Sequence, residues 1–204
     1  MNKKEKKIDL WFSVGSTYTY LTVTRIKDTV KKNNININLK PFNVRTIMLE
    51  MDNRPFPPSK KIKVDHMWRD IQRRAEIYKI VVPSLPVPYP IKNMELANQI
   101  ALLGVNEGWC LEYLELTYHN WFINKLPAGE DENLVLTFKK LNINYDEIKN
   151  KALKNEVKNS LIEQTKIAKS KGIFGAPTFI VEKELFWGDD RFEDAIKWYK
   201  NNNN

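Results

Sequence analysis

Phe12-Ser13-Val14-Gly15-Ser16-Thr17-Tyr18-Thr19-Tyr20 decides how this chain folds, because it carries the passage from a strand into a helix and sets a serine at the junction. Before it, residues 8–12 are apolar and β-prone apart from Asp9. After it, Tyr18, Leu21, Ile26 and Val30 fall near helical spacing and predict a helix over 18–30. The free N–H groups of a helix start, with its positive dipole end, favour an anion. A dithiol exchanger built on such a junction carries Cys-x-x-Cys across the first helical turn. Here Ser16 and Thr19 occupy those positions, so dithiol exchange is unavailable. What the junction keeps is the capacity to hold an anion such as a thiolate brought by a ligand. Read by itself, Ser16 is first of all a helix cap, and the case for the anion site has to come from elsewhere in the chain.

Working outward, residues 35–40 alternate with period two and predict a second strand, which completes a βαβ unit. From Val44 to about Lys171 nearly everything periodic reads as helix, over 59–79, 93–106, 109–124, 130–141 and 145–171 with a break near Lys154. Two proline clusters, Pro55, Pro57 and Pro58, then Pro83, Pro86, Pro88 and Pro90, bracket the first long helix as extended connections. Residues 178–181 and 184–187 predict a hairpin. Residues 190–199 predict a closing amphipathic helix with Phe192, Ala195, Ile196 and Tyr199 inward. The order βαβ, helices, ββα resembles the thioredoxin plan with a large all-helical insertion. The fold class expected is therefore α/β, with a thioredoxin-like domain over 8–50 and 172–200, an insertion over 51–171, and disordered tails over 1–7 and 201–204.

Composition narrows the function classes. The 204 residues suffice for a full core, and no apolar run approaches the roughly 18 residues of a membrane span. The basic start does not lead into a secretory signal. A single cysteine, Cys110, cannot close an internal disulfide and reads as a small buried apolar residue in a reducing, cytoplasmic setting. The net charge of +8 raises the question of nucleic acid, but lysines alternate with acidic neighbours and the densest basic run, 60–74, is interleaved with Ile62, Val64, Trp68 and Ile71 as an amphipathic helix. Neither a nucleic-acid nor a membrane partner is expected. His66 and His119 lack ligand spacing, so no metal site is assigned.

A second diagnostic segment is Gly172-Ile173-Phe174-Gly175-Ala176-Pro177-Thr178-Phe179-Ile180-Val181. In the thioredoxin plan the proline opening the third strand is cis and faces the first helix start. The residue before it, here Ala176, then turns its N–H and C=O outward to pair with a peptide-like ligand as an added strand would.

Further blocks carry a family resemblance. The strand and Ser16-Thr17-Tyr18-Thr19-Tyr20-Leu21, Asp52-Asn53-Arg54-Pro55, Asp70-Ile71-Gln72-Arg73-Arg74-Ala75, Pro90-Ile91-Lys92-Asn93, residues 172–181 and Phe186-Trp187-Gly188-Asp189-Asp190-Arg191 occur in order. Over roughly 8–199 the chain resembles the 2-hydroxychromene-2-carboxylate isomerases and kappa-class glutathione transferases, whose fold is DsbA-like. Thr17 stands where that family has proline, Asp52 where it has glycine, and Asp189 where it has glutamine or serine.

The resemblance implies glutathione as cofactor, a homodimer, and a small aromatic carboxylate or electrophile as substrate, in aromatic-compound catabolism. Ser16, the catalytic candidate, would hold the glutathione sulfur as thiolate with the N–H groups of Thr17 and Tyr18. Ala176, before Pro177, would pair with the cysteinyl backbone, while Asp190 would accept the γ-glutamyl ammonium and Asp189 would add negative charge beside it. Asn53 would contact glutathione or substrate, with Tyr89 and Asn93 on the substrate side. Lys60, Lys61, Lys63 and Arg69 are candidates to attract a carboxylate. Tyr18, Phe56, Trp68 and Tyr89 are candidates to stack on aromatic rings, with Trp68 also fitting a core position. Asp190 reads equally as a helix cap, Asn53 as a turn residue and Arg191 as a local ion-pair partner. Three activities remain open on the sequence: glutathione-dependent isomerase, glutathione transferase, or a catalytically silent DsbA-like binding module.

Overall fold

Ile8–Phe12 form β1, the strand around which the molecule is built. In the computed structural model, which describes residues 7–53 and 58–201, every apolar side chain of β1 is buried. Successive strand residues face opposite sides of a sheet, so burial of Leu10, Trp11 and Phe12 in a row means that both faces are covered. β1 pairs in parallel with β2 (Ile37–Pro41) and antiparallel with β3 (Thr178–Val181), Leu10 lying opposite both Leu39 and Phe179. β3 turns through Glu182 and Lys183 into β4 (Glu184–Trp187), giving the order β2-β1-β3-β4. This is the expected α/β fold.

The helix expected over 18–30 is two helices, α1 (Thr19–Val23) and α2 (Ile26–Asn33). At the break, Thr24 Oγ1 donates back to the Tyr20 C=O at 2.8 Å, a bond that bends helices, and Arg25 turns inward onto Asp189 and Glu193. β2 starts two residues later than its alternation predicts because the chain is still leaving α2: Asn34 is left-handed (φ 50°) and the Ile35 N–H bonds the Val30 C=O.

The helical stretch comprises α3 (Val44–Glu50), α4 (Lys61–Tyr78), α5 (Met94–Glu107), α6 (Cys110–Phe122), α7 (Asp131–Leu141), α8 (Tyr145–Ala152) and α9 (Asn155–Ser170). Lys154, extended at ψ 143°, makes the expected break between the last two. Cys110 is buried, and burial pushes its thiol pKa up. The closing helix α10 (Phe192–Asn201) begins later than predicted, after a 3-10 turn over Asp189–Arg191. Asp190 therefore lies in that turn, and Asn201, expected in a disordered tail, is the last helical residue. Phe192 stacks flat on Phe179, 4.5 Å between centroids, which fixes α10 to β3.

One buried cluster runs from Leu10 and Phe179 in the sheet to Trp68, Trp121 and Phe122 in the helical stretch. Tyr20 of α1 joins the two parts, stacked on Phe122 at 4.3 Å. Among the described residues no helix is long and apolar enough to cross a membrane. Residues 1–6 and 202–204, the rest of the expected tails, lie outside the described residues, as do 54–57 with the stacking candidate Phe56.

Candidate active site

Beyond Phe12 the chain makes a tight turn in which the Ser16 N–H donates to the Ser13 C=O at 3.0 Å. α1 starts only at Thr19, with Tyr18 as its cap residue and no side-chain cap bond. Ser16 does not cap a helix. Its hydroxyl donates instead to the Ala176 C=O at 2.6 Å, across 160 positions of sequence. Ala176 precedes the predicted cis bond to Pro177, and the Pro177 C=O accepts the Gly188 N–H at 2.9 Å, which ties this segment to the turn before α10. Thr19, in the other redox position, is wholly buried.

Around Ser16 lies a groove of about 320 Å³ whose polar lining includes Arg45, Asn53 and Tyr89 and whose apolar lining includes Met48, Met67 and Met94. Arg45, from the first turn of α3, is steadied by an Nη2 bond to the Ile91 C=O at 3.1 Å. Tyr89 comes from the proline-rich connection 79–93, which side chains hold down: Tyr20 donates to the Val81 C=O, Gln72 to Pro83 at 3.0 Å and Trp121 to Pro88 at 2.7 Å. The Tyr89 ring meets Trp68 edge-on at 5.9 Å; Trp68 is itself buried against Phe122, so it belongs to the core.

Two glycines admit large neighbours. A Cβ on Gly15 would lie 2.1 Å from Met94 Sδ, and one on Gly175 would lie 2.2 Å from Trp187 Nε1. Trp187, half exposed, then meets Phe174 at 4.7 Å on the groove's rim. Thr17 is buried, with Oγ1 on Met67 Sδ at 3.2 Å.

Tyr18, Ala176 and Trp187 also border a second groove, about 500 Å³, which includes Asp70, Arg74, Asp190 and Arg191. The Tyr18 hydroxyl donates to Asp70 Oδ2 at 3.0 Å. Burial, with the Asp70 charge, pushes that phenol up to about 12, so it remains a donor at neutral pH. Asp190 pairs with Arg191 at 3.0 Å, and both stay partly exposed.

Asp189 borders this second groove as expected, but its charge is not free, which corrects one expectation. It is 1% exposed, its Oδ1 takes Thr22 Oγ1 and Arg25 Nη2, each at 3.1 Å, and its Oδ2 takes Arg74 Nη2 at 3.1 Å. Asn93 is a second correction. Its C=O accepts the Ala97 N–H at the start of α5, and it lines a different groove with Lys92, Gly129 and Lys149. The Ser16 groove takes its neighbour Met94 instead. Lys60, Lys61, Lys63 and Arg69 are exposed and none lines that groove; Lys61 pairs with Asp65 and Arg69 with Glu76 at 3.6 Å. His66 lies beside Tyr18 in a shallow recess, while His119 is exposed on α6.

Among the described residues the cation that lines the Ser16 groove is Arg45, which the sequence did not reveal because α3 is too short to show a period. Phe174, Trp187 and Arg74 were missed as well, although each sits inside a block that carried the resemblance. The methionines carried no signal beyond helical spacing.

A family profile described as DSBA-like thioredoxin domain matches residues 7–199. Among curated proteins the chain is similar to the 2-hydroxychromene-2-carboxylate isomerase of Pseudomonas putida, 22% identical over 185 residues covering 90% of this chain and 89% of that protein. It is similar also to that of Sphingobium xenophagum, 24% identical over 198 residues covering 92% and 95%. A solved structure of a 2-hydroxychromene-2-carboxylate isomerase superposes with a TM-score of 0.80 at 21% identity, over 96% of this chain and 97% of the other, which speaks for the fold.

Proposed function

The chain belongs to the family of DSBA-like thioredoxin domains, and on that premise we propose that it is a glutathione-dependent isomerase of a 2-hydroxychromene-2-carboxylate or a similar aromatic carboxylate. The observation that carries this reading is the meeting of the Ser16 hydroxyl with the Ala176 C=O, 2.6 Å apart, in a family member without cysteine at 16 or 19. The names of the curated relatives support the reaction type.

The donor set fits a γ-glutamyl tripeptide. Ala176 offers backbone groups for the cysteinyl residue, as an added strand would. The second groove holds both signs that an α-amino acid end requires, a carboxylate in Asp190 and a partly exposed guanidinium in Arg74. Glutathione held there would supply a thiolate able to add to the substrate and, once the opened ring has rotated about the former double bond, to leave again as the C–S bond breaks. Ser16 turns its O–H from Ala176 to the sulfur, and one charge-assisted bond of about 1.5–3 kcal/mol lowers the thiol pKa by about 1–2 units. The Ala176 C=O, released, accepts the cysteinyl N–H. Arg45 pairs with the substrate carboxylate, Tyr89 offers a ring to its aromatic part, and Asn53 bonds its oxygens. Met48, Met67 and Met94 adapt to the ring and exclude water.

The test is turnover of the chromene with glutathione in substoichiometric amount. The expected result is conversion to the benzylidenepyruvate isomer with glutathione undepleted. Glutathione consumed one for one with a chloronitrobenzene electrophile, and no isomerisation, would make the protein a transferase. No glutathione binding at millimolar concentration would leave a binding module.

A further inference from the structure

Two side chains of the helical stretch reach through the core to the turn that carries Ser16. Asn98 of α5, wholly buried, accepts the Val14 N–H at 2.9 Å through Oδ1 and donates through Nδ2 to Ser13 Oγ at 3.2 Å and the Met94 C=O at 2.8 Å. Tyr118 of α6, also wholly buried, places its hydroxyl 2.8 Å from the Ser16 C=O and 3.2 Å from the Ser13 C=O. A phenol has a single hydrogen to give, and the shorter contact marks Ser16 as its principal acceptor. Tyr118 lies outside the two grooves, so its hydroxyl acts on the turn and not on a ligand.

We propose that Tyr118 is a positioning residue for the anion site: by holding the Ser16 C=O toward the core it turns the Thr17 N–H into the Ser16 groove, where that N–H becomes the backbone donor to a ligand sulfur. The proposal rests on the thiolate reading of the site. A trans peptide is planar with its C=O and N–H on opposite sides, so fixing the Ser16 carbonyl inward fixes the Thr17 N–H outward, and Thr17 does line the groove. A hydrogen bond on the carbonyl also polarises the amide and strengthens its N–H as a donor. This matters because α1 has only five residues. A helix that short sums few peptide dipoles, so the site depends on individual aimed N–H groups rather than on a macrodipole. Asn98 holds the other end of the same turn, which leaves the Ser16–Thr17 peptide little freedom to flip.

The experiment compares Tyr118→Phe with Tyr113→Phe. Tyr113 is an equally buried phenol on the same helix, whose hydroxyl donates to the Ala97 C=O at 3.0 Å and not to the Ser16 turn. Two readouts are taken: the Thr17 amide resonance, whose nitrogen responds to hydrogen bonding at the preceding carbonyl, and the pKa of glutathione's thiol on the protein. Tyr118→Phe is expected to shift the Thr17 resonance, raise the bound thiol pKa and lower kcat roughly two- to tenfold, the worth of one neutral hydrogen bond, with KM for the aromatic substrate unchanged. Tyr113→Phe is expected to lower the melting temperature comparably and move none of these. Both Thr17 resonance and thiol pKa unmoved in Tyr118→Phe, or moved equally in Tyr113→Phe, would overturn the proposal. If Tyr118→Phe does not fold, the wild-type protein decides: the Thr17 amide proton should move downfield as glutathione is titrated in, and an unmoved resonance overturns the proposal. If the wild type binds no glutathione, the functional reading fails, while the Thr17 resonance in Tyr118→Phe still decides the positioning role.

Discussion

A serine hydroxyl 2.6 Å from a carbonyl 160 positions away is a donor waiting for a better acceptor. A thiolate is such an acceptor, since hydrogen bonds to charged groups are about twice as strong as neutral ones. Ser16→Ala is therefore expected to lower turnover about ten- to a hundredfold while changing glutathione affinity little, because affinity is spread over the whole tripeptide. Steady-state kinetics beside calorimetry separate the two, and unchanged turnover would reduce Ser16 to a structural residue. At this scale the sequence was legible where chemistry is local: Ser16 and Ala176 sit in short, recognisable stretches. Asp189 was not legible, because the groups that bury and neutralise it, Thr22, Arg25 and Arg74, come from two distant helices and the bend beside one of them.

Elements set how those residues are presented. β3 and β4 were readable to the residue, since Pro177 and a two-residue turn delimit them. The split between α1 and α2 was not, because the hydrophobic spacing runs through it, while the bend comes with the Thr24 bond back to Tyr20 and the turn of Arg25 onto Asp189. Gly175 and Trp187 form a pair of elements in contact: a Cβ at Gly175 would stand 2.2 Å from the indole nitrogen. Gly175→Ala should displace Trp187 from Phe174, shift tryptophan fluorescence, and raise KM for glutathione or substrate more than it lowers kcat; an unshifted spectrum with unchanged KM would show that Trp187 does not shape the groove. Burial, first of all, pushes Tyr18, Tyr20 and Tyr78 up to about 12. The fold thus favours the protonated phenols over the unfolded chain, whose tyrosines titrate near 10. That contribution is full below pH 10 and is lost as pH climbs through 12. Urea midpoints measured with phenolate absorbance should fall across that window, with Tyr20 releasing the Val81 anchor of the connection that carries Tyr89. Midpoints flat to pH 12 would contradict it.

Across the whole molecule, Asp189 is where the helical stretch grips the sheet half, since Arg74 belongs to α4 and Arg25 to the bend after α1. Removing one member of a buried charge cluster leaves the others uncompensated. Asp189→Ala should destabilise the fold by about 3 kcal/mol, and Asp189→Asn by less, since an amide oxygen still accepts; urea unfolding measures both, and a loss under about 1 kcal/mol would contradict the role. The order of elements was legible from the chain because each half announces itself by period, whereas the contacts between halves depend on residues that only the fold brings together. The central claim, a glutathione thiolate held at Ser16, is tested most directly by titrating the thiolate absorbance of protein-bound glutathione against pH in the wild type and in Ser16→Ala. A bound thiol ionising about 1–2 units below free glutathione in the wild type, and returning toward the free value in the variant, is the predicted result. A thiol that titrates alike in wild type, variant and free solution would contradict the account.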